Sequence, residues 1–586
     1  MSMNHRVATR RRSYFWLLPV AYLFPIALTV WFVVNFGVNV PHWDQWALVS
    51  FFAKIQAGQA TFVDFFAQHN EHRMFFPRII FAILAFVSGW NNKVEMFFSL
   101  GLVIMTFGVI YRMALKTRSN VVLFHLVTIL SAAFLFSLSQ LENWLWGFQI
   151  AWFLINLCVV LAIASFALLE DQEFSTRAFL AGLACFVASF SSAHGLVSWL
   201  VVLPLIVMEK GSQRQRFLKV AVWMGIFAAV FGLYMLGYVK PEHHPDRLFF
   251  LRQPQAAIHY FLVMLGSVFG TVAFPKSLMG LGLLLNFAFF NGYSVIRLSS
   301  PATQKMIPWL ALGWYPMLFA MATTVGRSGF GTEQATSSRY ITVIVLLLIA
   351  VLQLWQIFLS EYPQQSLAPT VGVFGTGLLT AVLLAANSHA ISLGNGESLA
   401  KTRAKLCLEL INFLDISDSS PAANWVSFIQ PDMPNLTLYT QALTKLNFLT
   451  PLEPNDVEFK VDAKAVRGHV DAPPLGEVNL IPIGQENLIL SGWAIIAHQP
   501  RQSTMLLLAA HDNQPFLTSD LAYIPRPDVA QSLGSSRFLH SGWQLNLPLK
   551  TLPAGDHNLK LWVYDRKNSQ FLQFSDQISI RISAAD

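Results

Sequence analysis

Two short polar stretches stand out for their chemistry: Pro41-His42-Trp43-Asp44-Gln45-Trp46 and Gln68-His69-Asn70-Glu71-His72-Arg73. They set two carboxylates, three histidines and an arginine among aromatic residues, in a chain of which only 12% is charged. A carboxylate held at a water–lipid boundary can take a proton from a hydroxyl or orient a metal ion. Ionisable groups beside a bilayer are costly to desolvate and mark substrate or ion paths. The plainer alternative for Asp44 is an interfacial cap inside an aromatic belt. For Glu71, with His69, His72 and Arg73, it is an ordinary solvated loop.

A second polar segment, 326–340, supplies Arg327, Glu333 and Arg339 together with glycines and hydroxyls. Arginines with close backbone approach are the materials of a phosphate or pyrophosphate cradle, and snorkelling at a helix end is the alternative. A third, Lys240-Pro241-Glu242-His243-His244-Pro245-Asp246-Arg247, offers metal-binding residue types, but its two prolines and lack of helical spacing argue against a site. A divalent metal is compatible with these acids and not required by them. Glu142, beside Trp144 and Trp146, and His194 complete the polar set and read as satisfied structural residues.

The elements that position these groups are membrane helices. The chain has 586 residues, 54% of them hydrophobic, and a mean hydropathy of +0.49. That composition excludes an ordinary soluble globule. The formal charge of +7 lies in short clusters between apolar runs, the orientation signal of membrane helices, and so does not point to nucleic acid. Cys158, Cys185 and Cys407 lie far apart and suggest neither disulfides nor zinc.

Arg6, Arg10, Arg11 and Arg12 precede an apolar run, Tyr14 to Val40, too long for a cleavable signal and read as an uncleaved first helix with a cytoplasmic N-terminus. Phe75 to Leu115 is long enough for two spans. Only if Phe75 to Trp90 lies on the surface or re-enters do Arg112, Lys116 and Arg118 fall inside. The other spans run near Val94–Tyr111, Val121–Leu138, Ile150–Leu169, Ala178–Ser192, Leu196–Met208, Val220–Val239, Leu278–Ile296, Ile307–Val325, Tyr340–Leu359 and Val371–Ala386. This gives about 11 transmembrane helices, an odd number that places the C-terminal part outside. The two around 178–208 flank Ser191-Ser192-Ala193-His194-Gly195 and read equally as one broken pair.

The spans define a domain over 1–390. From Ile391 the composition changes, and Glu397–Leu414 and Thr437–Leu449 read as amphipathic helices in a helical linker region, 391–475. The last part, 476–586, alternates as strands, Asn487–Ile495, Thr504–Ala510, Phe516–Ser519, Ser541–Leu547, His557–Tyr564 and Gln577–Ile582, as in a small β-sandwich. Ser491-Gly492-Trp493 is faintly echoed by Ser541-Gly542-Trp543.

One long N-terminal span, an acidic outer loop with surface-lying helices, many spans and a C-terminal domain opposite the N-terminus resemble the C-type glycosyltransferase fold over Tyr14 to Ala390. The resemblance implies a bacterial inner-membrane enzyme, with its C-terminal domain periplasmic. It would take a sugar from a polyprenyl-phosphate-linked donor and pass it to a glycan, lipid or protein acceptor. Asp44 and Glu71 would then be the catalytic or acceptor-orienting acids, although no Asp-Glu or Asp-x-Asp doublet follows the first helix. His69, His72, Arg73, Arg327, Glu333 and Arg339 are the expected substrate-binding set, the arginines assigned from their own chemistry. Ser491-Gly492-Trp493-Ala494, Ile524-Pro525-Arg526-Pro527-Asp528-Val529-Ala530 and Ser541-Gly542-Trp543 resemble β-sandwich modules appended to bacterial surface-glycan glycosyltransferases. The rival readings are a transporter or flippase for lipid-linked glycans and a non-catalytic subunit of a polysaccharide assembly complex.

Overall fold

Polar residues at the edges of the apolar runs start the helices. Asn91 accepts a hydrogen bond from the Lys93 amide and Asn120 from that of Leu123. Ser212 forms a reciprocal box with Gln215, and Ser300 caps a helix opened by Pro301. The computed structural model describes residues 17–118, 120–241, 245–246, 248–270, 274–361, 368–414, 421–452, 457–461, 465–474, 478–482, 485–496, 506–511, 516–521, 524–549 and 552–583. The basic N-terminal cluster and half of the 240–247 segment, 242–244 and 247, lie outside the described residues.

Among the described residues nine helices are long and apolar enough to cross a membrane: Leu17–Phe36, Asn92–Thr117, Val121–Trp144, Gly147–Leu168, Gln213–Met235, Lys276–Ile296, Pro301–Phe330, Ser338–Glu361 and Gly375–Glu409. The chain is therefore a multi-pass helical membrane protein. Where the other two of the eleven expected crossings fall, near 178–192 and 196–208, the described residues form shorter apolar elements, Phe174–Ser189 and the broken run Ala193–Val207, which are not among the nine. Pro254–Phe269 is a further short apolar helix where no span is expected. Phe75–Ser88 has 14 residues and ends at Gly89, whose φ of +64° closes the helix in the left-handed conformation.

The chain forms two compact units, Met1–Asn39 with Ala57–Asn395, and Val40–Gln56 with Gly396–Asp586. In the first, helix Ser338–Glu361 is largely buried and packs on Pro301–Arg327 and Val121–Leu135. A polar ladder crosses this interior. Asn143 donates to Thr342 Oγ1 (2.6 Å), Thr342 to Gln140 Oε1 (2.8 Å), Asn156 to the Thr342 carbonyl (2.6 Å) and Tyr315 to Asn156 (3.3 Å). Such bonds satisfy polar groups that lipid would leave unpaired. Gly266 and Gly280 allow Pro254–Gly266 and Lys276–Ile296 to touch through backbone, since a Cβ at either would collide with the opposite helix.

The last long helix corrects an expectation. Ala368–Glu409 is continuous over 42 residues and runs straight through the composition change at Ile391, where separate elements are expected. A fall in hydropathy does not end a helix in the absence of a proline or cap, and 387–409 contains no proline.

In the second unit the strands form two sheets. One has the order β4 (Val466–Ala472), β6 (Asn487–Ile496), β9 (Gly542–Pro548). The other runs β3 (Glu458–Lys460), β11 (Gln570–Ile582), β10 (Gly555–Asp565), β7 (Leu506–His511), β8 (Phe516–Leu521), with β5 (Asn479–Ile481) also on β11. Leu490, Trp543 and Leu545 from the first sheet share a core with Leu559, Leu561, Ile578 and Ile580 from the second. Strands β3 and β4 precede the expected strand region at 476–586, and β5 lies within it ahead of the first expected strand at Asn487. The two Ser-Gly-Trp echoes are cross-strand partners, Gly492 opposite Trp543 and Trp493 opposite Gly542. Gly492 is required there, because a Cβ would strike the His469 carbonyl and sit 2.8 Å from the Trp543 ring. Arg526 of the Ile-Pro-Arg-Pro-Asp motif bridges Asp471 (2.6 Å) and Asp528 (2.7 Å), which makes it a structural staple.

Candidate functional site

In the first unit the stretch 68–73 folds into a tight hairpin. Strand β1 (Gln68–His69) pairs with β2 (His72–Arg73), leaving Asn70 and Glu71 at the tip. Asn70 takes a φ of +48°, which asparagine tolerates better than most residues. The hairpin is tied to the end of helix Gln213–Met235. The Gln68 amide donates to the Val239 carbonyl (2.6 Å) and accepts from its N–H (3.0 Å), and the Tyr234 hydroxyl donates to the Glu71 carbonyl (2.7 Å). Arg73 donates to the carbonyls of Tyr234 (3.2 Å), Phe66 (3.1 Å) and Leu236 and lies over the Phe66 ring. Its guanidinium therefore holds the hairpin.

Held in this way, the Glu71 carboxylate meets charges from distant parts of the sequence. Arg327, at the end of helix Pro301–Arg327, pairs directly with Glu71 Oε1, and His72 Nε2 lies 3.6 Å from the same oxygen. Burial acts to raise the Glu71 carboxyl, but the His72 ring N–H on that side and the charge and hydrogen bond of Arg327 override it and hold the group at about 2. Glu71 is thus an ionised, positioned acid and a weak proton acceptor.

His72 leads to residues that the sequence reading did not assign to a site. Its Nδ1 lies 3.1 Å from Ser192 Oγ and accepts from the Ala193 amide (3.3 Å), and Ser192 Oγ is 3.2 Å from His194 Nδ1. The His194 ring packs against Trp152 (4.8 Å between centroids) and Phe319 (5.2 Å). Burial, the largest cause, pushes its imidazole down to about 3, the Arg327 charge adding to this and Glu71 acting the other way. Gly195 fixes this turn, since a Cβ there would collide with the Ala188 carbonyl. The only hint in the sequence is the polar interruption Ser191-Ser192-Ala193-His194 between two short apolar runs.

Arg339, in the first turn of Ser338–Glu361, pairs with Glu142 (3.6 Å), which also accepts from the hydroxyls of Ser337 (3.0 Å) and Ser338 (3.3 Å). The two expected phosphate-binding arginines are therefore each held by an acid, and both side chains remain partly accessible. Glu333 is exposed, and its carbonyl accepts from Thr336 (2.7 Å). His69 packs on Phe148 (5.4 Å between centroids).

Asp44 belongs to the second unit. Trp43–Trp46 is a single helical turn leading into helix Ala47–Gln56. Its indoles donate to the Phe428 and Ile429 carbonyls (both 3.0 Å), and the Trp43 amide donates to Ile429 (2.7 Å). Asp44 is half-buried in the first turn, where a carboxylate complements the exposed amides of a helix start. Burial, with Lys401 nearby, pushes the adjacent His42 down to about 2.

Among the described residues no group of three or more His, Cys, Asp or Glu side chains is arranged to hold a metal ion. A scan against models of known protein families finds no match, and a search of curated proteins finds none similar to this chain.

Proposed function

We propose that this chain is a glycosyltransferase of a bacterial inner membrane, moving a sugar from a polyprenyl-phosphate-linked donor to a glycan, lipid or protein acceptor at the periplasmic face. One observation carries the reading. Two carboxylates, two arginines, two histidines and serine hydroxyls lie at helix ends in an otherwise apolar bundle, the arrangement expected where a charged lipid headgroup meets a hydroxyl. Arg327, oriented by Glu71, and Arg339, oriented by Glu142, would grip the departing phosphate as its charge grows. Glu71 would orient Arg327 and His72 more than it would accept a proton, given how firmly it is held ionised. Asp44, which the family resemblance makes the base, remains the alternative acid. Eleven crossings and a C-terminal β-sandwich outside the membrane complete the proposal. A reporter fused after Arg118 should then read as cytoplasmic and one after Asp586 as periplasmic.

The direct test is reconstitution with polyprenyl-phosphate-linked hexoses and pentoses, followed by mass spectrometry of the products. A new glycosidic product supports the proposal. Movement of lipid-linked glycan across the bilayer with no covalent change would support the transporter reading instead. That rival draws on Glu95, an acid buried in the first turn of the apolar helix Asn92–Thr117, where it accepts from the Trp90 indole (3.0 Å).

A further inference from the structure

One backbone amide fixes the protonation pattern of both histidines in the site. The Ala193 N–H can only donate, and it is directed at His72 Nδ1 (3.3 Å), so that nitrogen carries a lone pair. The His72 proton then sits on Nε2, towards Glu71 Oε1 at 3.6 Å. Ser192 Oγ lies 3.1 Å from the same Nδ1 and shares its one lone pair with the amide as a second donor, since turned the other way the hydroxyl oxygen would set its own lone pairs against it. Only lone pairs remain on Ser192 Oγ, so His194 Nδ1, 3.2 Å away, carries a proton and donates to it. His194 Nε2 is thereby left as an acceptor without a proton.

That atom is buried and has no hydrogen-bond partner among the described residues. A buried acceptor without a donor destabilises a fold, and native sites retain one where a ligand completes it. The ring cannot turn away to escape, being packed by Trp152 and Phe319 and held through Nδ1. A lone pair repels the oxygens of phosphate or carboxylate and selects a neutral donor. The same cluster already offers Arg327 for anionic oxygens.

We propose that His194 Nε2 is the subsite for a substrate hydroxyl, accepting a hydrogen bond from an alcohol group of the sugar while Ser192 and His72 lock its tautomer. This rests on the carbohydrate reading above and adds the atom that recognises the sugar. The phosphate and the sugar would thus be read by two different parts of one cluster, Arg327 for the charge and His194 for the hydroxyl.

The test uses the full-length protein, labelled with ¹⁵N-histidine, in lipid nanodiscs. Without substrate, long-range ¹H–¹⁵N spectra should show His194 protonated on Nδ1 and His72 on Nε2, and Ser192→Ala should unlock both. Adding polyprenyl-phosphate-linked hexoses and pentoses should shift the His194 Nε2 resonance, whereas polyprenyl phosphate without a sugar should not. His194→Phe should weaken binding of the sugar-bearing lipid by about tenfold, and His194→Gln should restore most of it. A proton on His194 Nε2 in the free protein would overturn the proposal. So would a resonance that no sugar-bearing lipid moves, the behaviour of a site filled only by water. Should the sugar-bearing lipids shift the resonance while no glycosidic product ever forms, the hydroxyl subsite stands and the glycosyltransferase reading falls.

Discussion

Glu71 meets groups from three other segments of the chain: Arg327 at one helix end, Tyr234 at another and, through His72, the turn at 192–194. Asp44 sits in a turn whose tryptophans are hydrogen-bonded to one segment, Phe428 and Ile429. The two stretches have nearly the same composition, acids and histidines set among aromatics after the first apolar helix. Their surroundings differ because Glu71 lies at the tip of a hairpin, which can project a side chain towards several partners. Asp44 lies in the first turn of a helix, where a carboxylate already has a structural task. Convergence of remote side chains on the Glu71 hairpin, more than local richness in titratable residues, makes it a candidate reaction centre.

The largest effect should come from Arg327. Arg327→Ala removes the cation on Glu71 and the proposed grip on phosphate, so transfer should fall by about 10² to 10³ in kcat. Arg327→Lys should recover little, since an ammonium does not reproduce the planar guanidinium fork. Near-normal kinetics in either variant would erase the distinction between the hairpin and the Asp44 turn.

Gly195→Ala tests the scaffold of the same centre. Its Cβ has nowhere to go but against the Ala188 backbone, and thermal unfolding in detergent should register a loss of about 1 to 3 kcal/mol. An unchanged melting temperature would mean that the turn carrying His194 is less tightly held than these contacts indicate.

The smallest effect sharpens the comparison by pH. His194 and His42 are both held well below their ordinary value of 6.5, to about 3 and about 2. The unfolded chain therefore takes up protons first, so each contributes stability in full above about pH 6.5 and loses it as the pH falls towards those values. Glu71, held at about 2 against an ordinary 4.5, adds its own loss only below about 4.5. Hydrogen exchange between pH 6.5 and 4.5 should loosen 193–197 and 41–46 independently. His194→Gln should flatten the response of the first segment and leave the second unchanged.

Much of this fold was legible because a bilayer forces long apolar runs into helices and polar caps mark their ends. The hairpin chemistry was legible too, as a dense cluster of ionisable residues. The pairing of Glu71 with Arg327, 256 residues apart, was not, since nothing in either segment names its partner. Ser192 and His194 were legible only as a polar tip between two short apolar runs, since nothing there signals the histidine 120 residues away that Ser192 meets. Strand β4 was missed because Val466 and Val470 are its only large apolar residues in an otherwise polar stretch that ends at Pro473. The unbroken helix to Glu409 was misjudged because a change of hydropathy was taken for a change of secondary structure.

The central claim is that the reaction centre forms around Glu71 and not around Asp44. Glu71→Gln and Asp44→Asn, both nearly isosteric, should be compared side by side in proteoliposomes supplied with the polyprenyl-linked sugar that the wild type accepts, with folding checked by thermal unfolding. The account predicts that Glu71→Gln lowers transfer by about a hundredfold or more, whereas Asp44→Asn costs less than about tenfold. Loss of transfer in Asp44→Asn with near-normal activity in Glu71→Gln would contradict it.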